Sequence, residues 1–479
     1  MTPHSSTALS RGLAFAFALG ACGPTLVWHG KSPDRLHDVR VVEKRGQFVE
    51  HDGKRGPVFD GIAVGALAFS PDSKRLAYAA SRGASWRLVV DGKEGPPFSA
   101  IGATLFSTDS KRVAYIAQRG RAWHVVIDGV IGPAFDALLA NSLVFSPDGK
   151  HVAYAGERGG KHHAIIDGTV GPAFAAMRPI QFSADSAHVG YLARVTDDAS
   201  VAVVDGVAGS AFASVESLTF APVGGRVAYV AHTHEGWHAV VDGTAGPSWD
   251  LVRGLAFSGD GSHVAYVARR DQGDTRVVVD GIEGPAYTGV RPASLAFGPG
   301  ATAPTYVAQR ELRFFVVHAG TEGVVFDDVS APVWSHDGSH WAYVGQLGAR
   351  QTLVVDGVEG PRERAFGDVV FAPGSSRLAY VARRGPNAVV IVDGKERTFD
   401  IVLDGTLIFD ASGQHWGCIA GTRAARRFDV IVDGIATSTV DVNETIDLAI
   451  RNSVAGTASR EGDRMLRGWV HADLAKVAP

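Results

Sequence analysis

The sequence predicts an all-β protein built from one short unit repeated about eleven times. Three observations carry this. Asp-Gly pairs begin at 52, 91, 128, 167, 205, 242, 280, 356, 393 and 433, and a degenerate His318-Ala319-Gly320 fills the one gap, for a period of about 38 residues. An aromatic series keeps the same beat: Phe69, Phe106, Phe145, Phe182, Phe220, Phe257, Phe297, Trp334, Phe371 and Phe409. A Tyr follows nine residues later from Tyr78 to Tyr380, with Trp416 in the last copy. Finally, 58 glycines and 22 prolines in 479 residues exceed the usual share of about 12% and weaken any long helix. With 46% hydrophobic and 20% charged residues there is enough apolar surface for a large core, which argues against disorder.

The unit at residues 143–175 shows how each element arises. Strand a is Leu143–Ser146, closed by Pro147-Asp148-Gly149, where Pro presets φ and Gly accepts a positive one. Strand b is His151–Ala155, and Glu157-Arg158-Gly159-Gly160 forms the next loop. Strand c is His163–Ile166. Asp167-Gly168 then suits a type I′ hairpin turn. Strand d, Val170–Phe174, carries Gly171-Pro172, and Pro cannot donate to a ladder, so d belongs on an edge. Strands b and c are nearly continuous apolar runs, which implies burial on both faces. A four-stranded unit with two buried faces and one edge is what a β-propeller blade needs.

Phe-Ser-Pro-Asp-Gly-Lys-x-Val-Ala-Tyr resembles the WD40-like (PD40) repeat of the TolB-type β-propellers. It stands as Phe-Ser-Pro-Asp at 69–72 and 145–148, and in weakened form at 106–109, 182–185, 257–260 and 371–374. The resemblance covers roughly residues 45–450 and implies a propeller of four-stranded blades. Ten complete units start near residues 67 to 407. Residues 47–61 supply strands c and d alone, and 446–471 supply candidate strands a and b that would close an eleventh blade. The even spacing favours a single large ring of about eleven blades, with two packed propellers or an open superhelix as alternatives.

Residues 1–22 read as a lipoprotein signal. Arg11 precedes the apolar run 12–19, which is too short to span a bilayer and ends in Leu19-Gly20-Ala21-Cys22. This resembles the bacterial lipobox, which implies lipidation of Cys22, and Gly23 after it favours the outer membrane. Residues 23–44 would be a tether and 45–475 the repeat array.

Most chemical motifs yield to the repeat register. His234-Glu235-Gly236-Trp237-His238 matches the zincin spacing, but it falls in a b–c hairpin, where the two imidazoles need not converge, so no metal is expected. No G-x-S-x-G pentapeptide occurs. The Asp residues sit in turns, and Cys418 falls on a strand b as a small buried hydrophobe. One recurrent feature stands out. Arg82, Arg119, Arg158, Arg270, Arg310 and Arg384 fall 13 residues after the strand-a aromatic, with Arg194 and Arg423 one residue off. All lie at the b–c loop, opposite the Asp-bearing turns. Either each pairs with an acid at the d–a junction (Asp60, Asp136, Asp250 or Asp400), or together they attract an anionic partner. Trp86, Trp123 and Trp237 follow those arginines and serve as packing residues or, if exposed, as interface anchors.

These observations point to a non-catalytic, lipid-anchored envelope protein that binds or scaffolds a protein or an anionic polymer, without a cofactor. The membrane is reached through the lipid alone, and a net charge of −4 disfavours nucleic acid. The alternative is a hydrolase or lyase whose site is assembled from several blades in a central channel.

Overall fold

A computed structural model describes residues 25–34, 36–271, 273–422, 427–439, 467 and 470. Among them the chain forms eleven antiparallel sheets, each a meander in which strands a, b, c and d pair in sequence order. This is the blade topology of the β-propeller. The sheets fall into two compact units, residues 1–160 with 164–170 and residues 161–163 with 171–479. The first unit holds sheets 1–3 and strands a and b of sheet 4, and the second holds sheets 5–11.

Sheet 2 shows the pattern: a is Gly61–Phe69, b is Leu76–Arg82, c is Ser85–Val90 and d is Lys93–Glu94. Strands b and c supply the core through Ala77, Tyr78, Ala80, Leu88 and Val89, all buried. Strand d stops after two residues because Pro96 follows and has no N–H to donate. The chain then bends at Gly95, whose N–H bonds back to the Leu88 carbonyl at 2.8 Å. A Cβ at Gly95 would sit 3.1 Å from that oxygen and 3.5 Å from the Tyr115 hydroxyl of sheet 3, so only glycine fits comfortably. Phe98 returns to strand c through a reciprocal pair with Trp86, 2.8 and 2.9 Å. Its ring meets Tyr115 edge-on, centroids 6.1 Å apart. The joint recurs as Phe59–Tyr78, Phe135–Tyr154, Phe212–Tyr229 and Phe326–Tyr343. Such an aromatic pair contributes about 0.5–1.5 kcal/mol beyond its buried area. The Tyr series of the sequence is therefore one half of a repeated contact whose other half is the aromatic after the Gly-Pro bend, not the strand-a aromatic.

Three expectations change. Strand a begins earlier than the aromatic residue suggested: in sheet 4 it has two pieces, Ala137–Leu138 and Val144–Phe145, both paired with Val152–Arg158. Sheets 5, 8, 9 and 11 split it in the same way, and in sheets 1, 2, 3, 6, 7 and 10 it is continuous but bulged, as between Ala63 and Ala68. Extra residues inside the strand hid its first half from the periodicity. Second, residues 25–43 are not a tether. Thr25–Lys31 and Asp38–Glu43 are strands a and b of sheet 1, completed by Gln47–His51 and Lys54–Arg55. Sheet 1 thus takes its inner strands from the N-terminal side, where the repeat motif has decayed. Third, the C-terminal segment expected to supply them lies almost wholly outside the described residues, as do Cys22 and Arg423.

Candidate functional site

Each sheet has two chemically different ends. At one end, the Asp-Gly turn joins c to d with both residues at positive φ, as in Asp91 (50°) and Gly92 (78°). The aspartate does more than tolerate the turn. Oδ1 of Asp91 accepts the Leu76 N–H at 3.0 Å, and Oδ2 accepts Arg75 Nε at 2.8 Å. The side-chain pair recurs in ten sheets, with Arg in four (Arg75, Arg112, Arg226, Arg377) and His in six, and the backbone bond accompanies it in nine of them. Arg75 also donates to the Lys111 carbonyl of sheet 3 at 2.6 Å, and Arg226 to the Ser262 carbonyl of sheet 7 at 2.6 Å. Sheet 8 is the exception and explains the rule. Ala303 and Ala319 replace both partners, and Pro304 begins strand b without an N–H to satisfy.

The a–b turn at this end is a second capped device. Ser258 Oγ donates to Asp260 Oδ1 at 2.6 Å, and Ser262 N–H donates to the same oxygen at 3.0 Å. These bonds hold the Asp260 carboxyl down at about 2, with Asp337 likewise at about 2 through Ser335 and Ser339.

The opposite, b–c end carries the arginines singled out in the sequence. Their guanidinium groups lie over the strand-d aromatic: Arg82 over Phe59 (4.6 Å), Arg119 over Phe98 (5.3 Å), Arg158 over Phe135 (4.7 Å) and Arg270 over Trp249 (4.4 Å). Arg310 lies over Phe315 at 5.2 Å. Carboxylates pair four of them, but not the expected aspartates. Arg82 pairs with Glu94 (2.7 Å), Arg270 with Glu283 (2.7 Å), Arg310 with Glu322 (2.9 Å), and Arg384 with Glu363 (2.6 Å) and Glu396 (2.8 Å). Four of these glutamates stand two residues after the turn glycine, or its equivalent Gly320, on strand d. The junction aspartates do a different job: Asp60 Oδ2 accepts the Gly83 N–H at 2.6 Å, and Asp136 Oδ2 accepts the Gly159 N–H at 2.7 Å, closing the hairpin. Arg194 sits near Asp197 at 3.6 Å.

Arg119 and Arg158 differ. The positions of Glu94 are Ile131 in sheet 3 and Val170 in sheet 4, so neither has its strand-d carboxylate. Arg158 donates instead to the Ala134 carbonyl at 2.7 Å, and among the described residues Arg119 has only the Phe98 ring. Ser99 replaces the junction aspartate of sheet 3 and caps Gly120 at 3.1 Å. Exposed Arg121 adds another cation in the b–c loop of sheet 3.

No family model matches the chain, and no curated protein matches it. Two solved structures are similar to it. A crystal structure described as the eukaryotic initiation factor is 12% identical with a TM-score of 0.37, covering 77% of this chain and 96% of that one. The crystal structure of Porphyromonas gingivalis dipeptidyl peptidase 4 is 12% identical with a TM-score of 0.34. There the match covers 82% of this chain and 61% of the peptidase.

Trp86, Trp123 and Trp237 are half-buried, and each bridges strand c to strand d through its backbone, so they read as packing residues. In the H-E-x-x-H segment, His234 and Glu235 form the exposed tip of a hairpin. His238 is buried, with Nδ1 against the Gly246 carbonyl at 2.9 Å and Nε2 against Thr233 Oγ1 at 3.0 Å. Cys418 is buried, and burial pushes its thiol up. Sequence reasoning missed Asp368 on strand a of sheet 10. It accepts N–H groups of Gly405 (2.8 Å) and Leu407 (2.9 Å) from sheet 11, and burial raises its carboxyl. Only the register of strand a reveals that bridge.

Cavities of about 500 Å³ and about 270 Å³ recur where strand d leaves strand c, bordered respectively by Gly56 with Tyr78 and by Gly246 with Tyr266. They are products of the Gly-Pro bend, repeated with the fold.

Proposed function

We propose that this chain is a non-catalytic binding or scaffolding module of the bacterial cell envelope, a divergent relative of the WD40-like TolB-type propellers. Export and anchoring follow from the lipobox at Cys22, with the outer membrane as the favoured site. The partner is anionic, a carboxylate-rich protein or an acidic polymer, and it docks at the b–c end of sheets 3 and 4. The observation that supports this is the unneutralised state of Arg119 and Arg158 against four otherwise equivalent arginines that have a strand-d or adjacent glutamate. A cation without a carboxylate partner retains its field toward an incoming anion. The aromatic ring beneath each guanidinium holds it in place and reduces the entropy lost on binding.

The test is binding of a polyanion, heparin or polyglutamate, to the purified chain. Arg119→Glu with Arg158→Glu is expected to weaken binding at least tenfold, and rising salt to weaken the unaltered protein. Affinity unchanged by both would overturn the proposal. Labelling with a radioactive fatty acid tests anchoring separately: the label should disappear in Cys22→Ser.

A further inference from the structure

The turn end of sheet 1 departs from nine of its ten counterparts in one residue. The position before the first turn residue is Val or Ile in nine sheets (Val90 and Ile127 are examples), His318 in sheet 8 and His51 in sheet 1. The two histidines have opposite surroundings. His318 stacks on Trp341 at 4.5 Å and bonds Thr305 Oγ1 through Nδ1 at 2.9 Å, and the turn residue after it is Ala319. His51 is followed by Asp52, which already holds His37 through Nδ1 and Oδ2 at 2.6 Å. Nε2 of His51 lies 3.7 Å from the same Oδ2, shielded from solvent and with no hydrogen-bond partner among the described residues. An unpartnered buried ring nitrogen loses its hydration without compensation, a cost that valine would avoid.

We propose that His37, His51 and Asp52 form a divalent transition-metal site, for zinc or a similar late first-row ion. The donor atoms all lie within 4.8 Å of one another. Two imidazoles and a carboxylate are a borderline-soft set that suits zinc rather than calcium or magnesium. Zinc bonds of about 2.0–2.1 Å place tetrahedral ligands roughly 3.3 Å apart. The His51–Asp52 separation of 3.7 Å is close to this, and the His37–Asp52 hydrogen bond of 2.6 Å must open by under ~1 Å. His37 loses the proton on Nδ1 when the metal replaces the hydrogen bond, and Asp52 Oδ1 keeps its bond from the Asp38 N–H at 2.7 Å. A fourth position remains for water. Six sheets have a His–Asp pair at this end, and five of them lack the second imidazole. His151–Asp167 is one, so the fold supplies its own controls.

The experiment is zinc titration of the full chain against a competing chromophoric chelator. The unaltered protein is expected to bind one equivalent more tightly than His51→Val, by at least tenfold. His51→Val carries the residue that most sheets use, so it should fold at least as well without metal. Asp52→Asn should weaken zinc to the same degree, and His151→Gln should leave it unchanged. Zinc should raise the melting temperature of the unaltered protein and not that of His51→Val. Equal zinc affinity in His51→Val and the unaltered chain, or equal loss in His151→Gln, would overturn the assignment.

Discussion

The two ends of sheets 2 and 3 differ in what varies between them. At the turn end, Arg75–Asp91 and Arg112–Asp128 are the same pair at the same 2.8 Å. At the b–c end, Arg82 has Glu94, while in sheet 3 the position of that glutamate is Ile131 and Arg119 has no such partner among the described residues. An interaction copied into ten sheets belongs to the architecture, and its loss in sheet 8 removes both partners together. An interaction present in some sheets and missing in others is free to vary, and function can occupy the places where it is missing. The arginine series is therefore two populations, one neutralised within the sheet and one available to a partner.

The largest effect should come from the architectural end. Asp91→Ala leaves the Leu76 N–H without its side-chain acceptor and Arg75 without its carboxylate. It is expected to destabilise the fold by about 1–3 kcal/mol in urea unfolding, with polyanion binding intact. Should Asp91→Ala be neutral, the turn aspartates are reduced to backbone formers. Arg119→Glu with Arg158→Glu should change stability by under about 0.5 kcal/mol, since the side chains are exposed, yet lower polyanion affinity at least tenfold. Smaller still, Arg82→Ala should lower the melting temperature only slightly, because its Glu94 pair is exposed, with little change in binding.

Acid acts last and most mildly. Asp260 and Asp337 titrate at about 2, below their ordinary 3.8, because serine hydroxyls and backbone N–H groups bond the charged form. A depressed folded-state value means that their contribution is complete above pH 3.8 and is lost as pH falls through about 2. Melting temperatures between pH 4 and 2 should fall, less steeply in Ser258→Ala with Ser262→Ala. An identical slope in that variant would assign the acid sensitivity to other carboxylates.

Much of the fold is visible in the sequence because turn chemistry is local. Asp167-Gly168 specifies a hairpin wherever it stands, and the Phe and Tyr series mark the beat of strands a and b in every sheet, although the Tyr's partner across consecutive sheets is the aromatic after the Gly-Pro bend, such as Phe98 for Tyr115. What stayed hidden needed register. Glu94 reaches Arg82 only because strand d lies beside c and c beside b, so the carboxylate comes from the strand rather than from junction Asp60. The first two strands of sheet 1 were hidden because Lys31 and Arg40 stand where the repeat has its strand-a aromatic and its Tyr, although the Ser32-Pro33-Asp34 turn is kept. His51 was passed over for a related reason: a histidine before Asp-Gly looks ordinary until its Nε2 is seen buried without a partner.

The most direct measurement keeps every arginine and supplies the missing carboxylates. Ile131→Glu with Val170→Glu gives sheets 3 and 4 the glutamates that sheets 2, 7, 8 and 10 already have. If unneutralised arginines are the binding feature, polyanion affinity should fall at least tenfold while circular dichroism and melting stay close to those of the unaltered protein. Undiminished affinity in that folded variant would contradict the account, and would show that Arg119 and Arg158 are no more available than their paired counterparts.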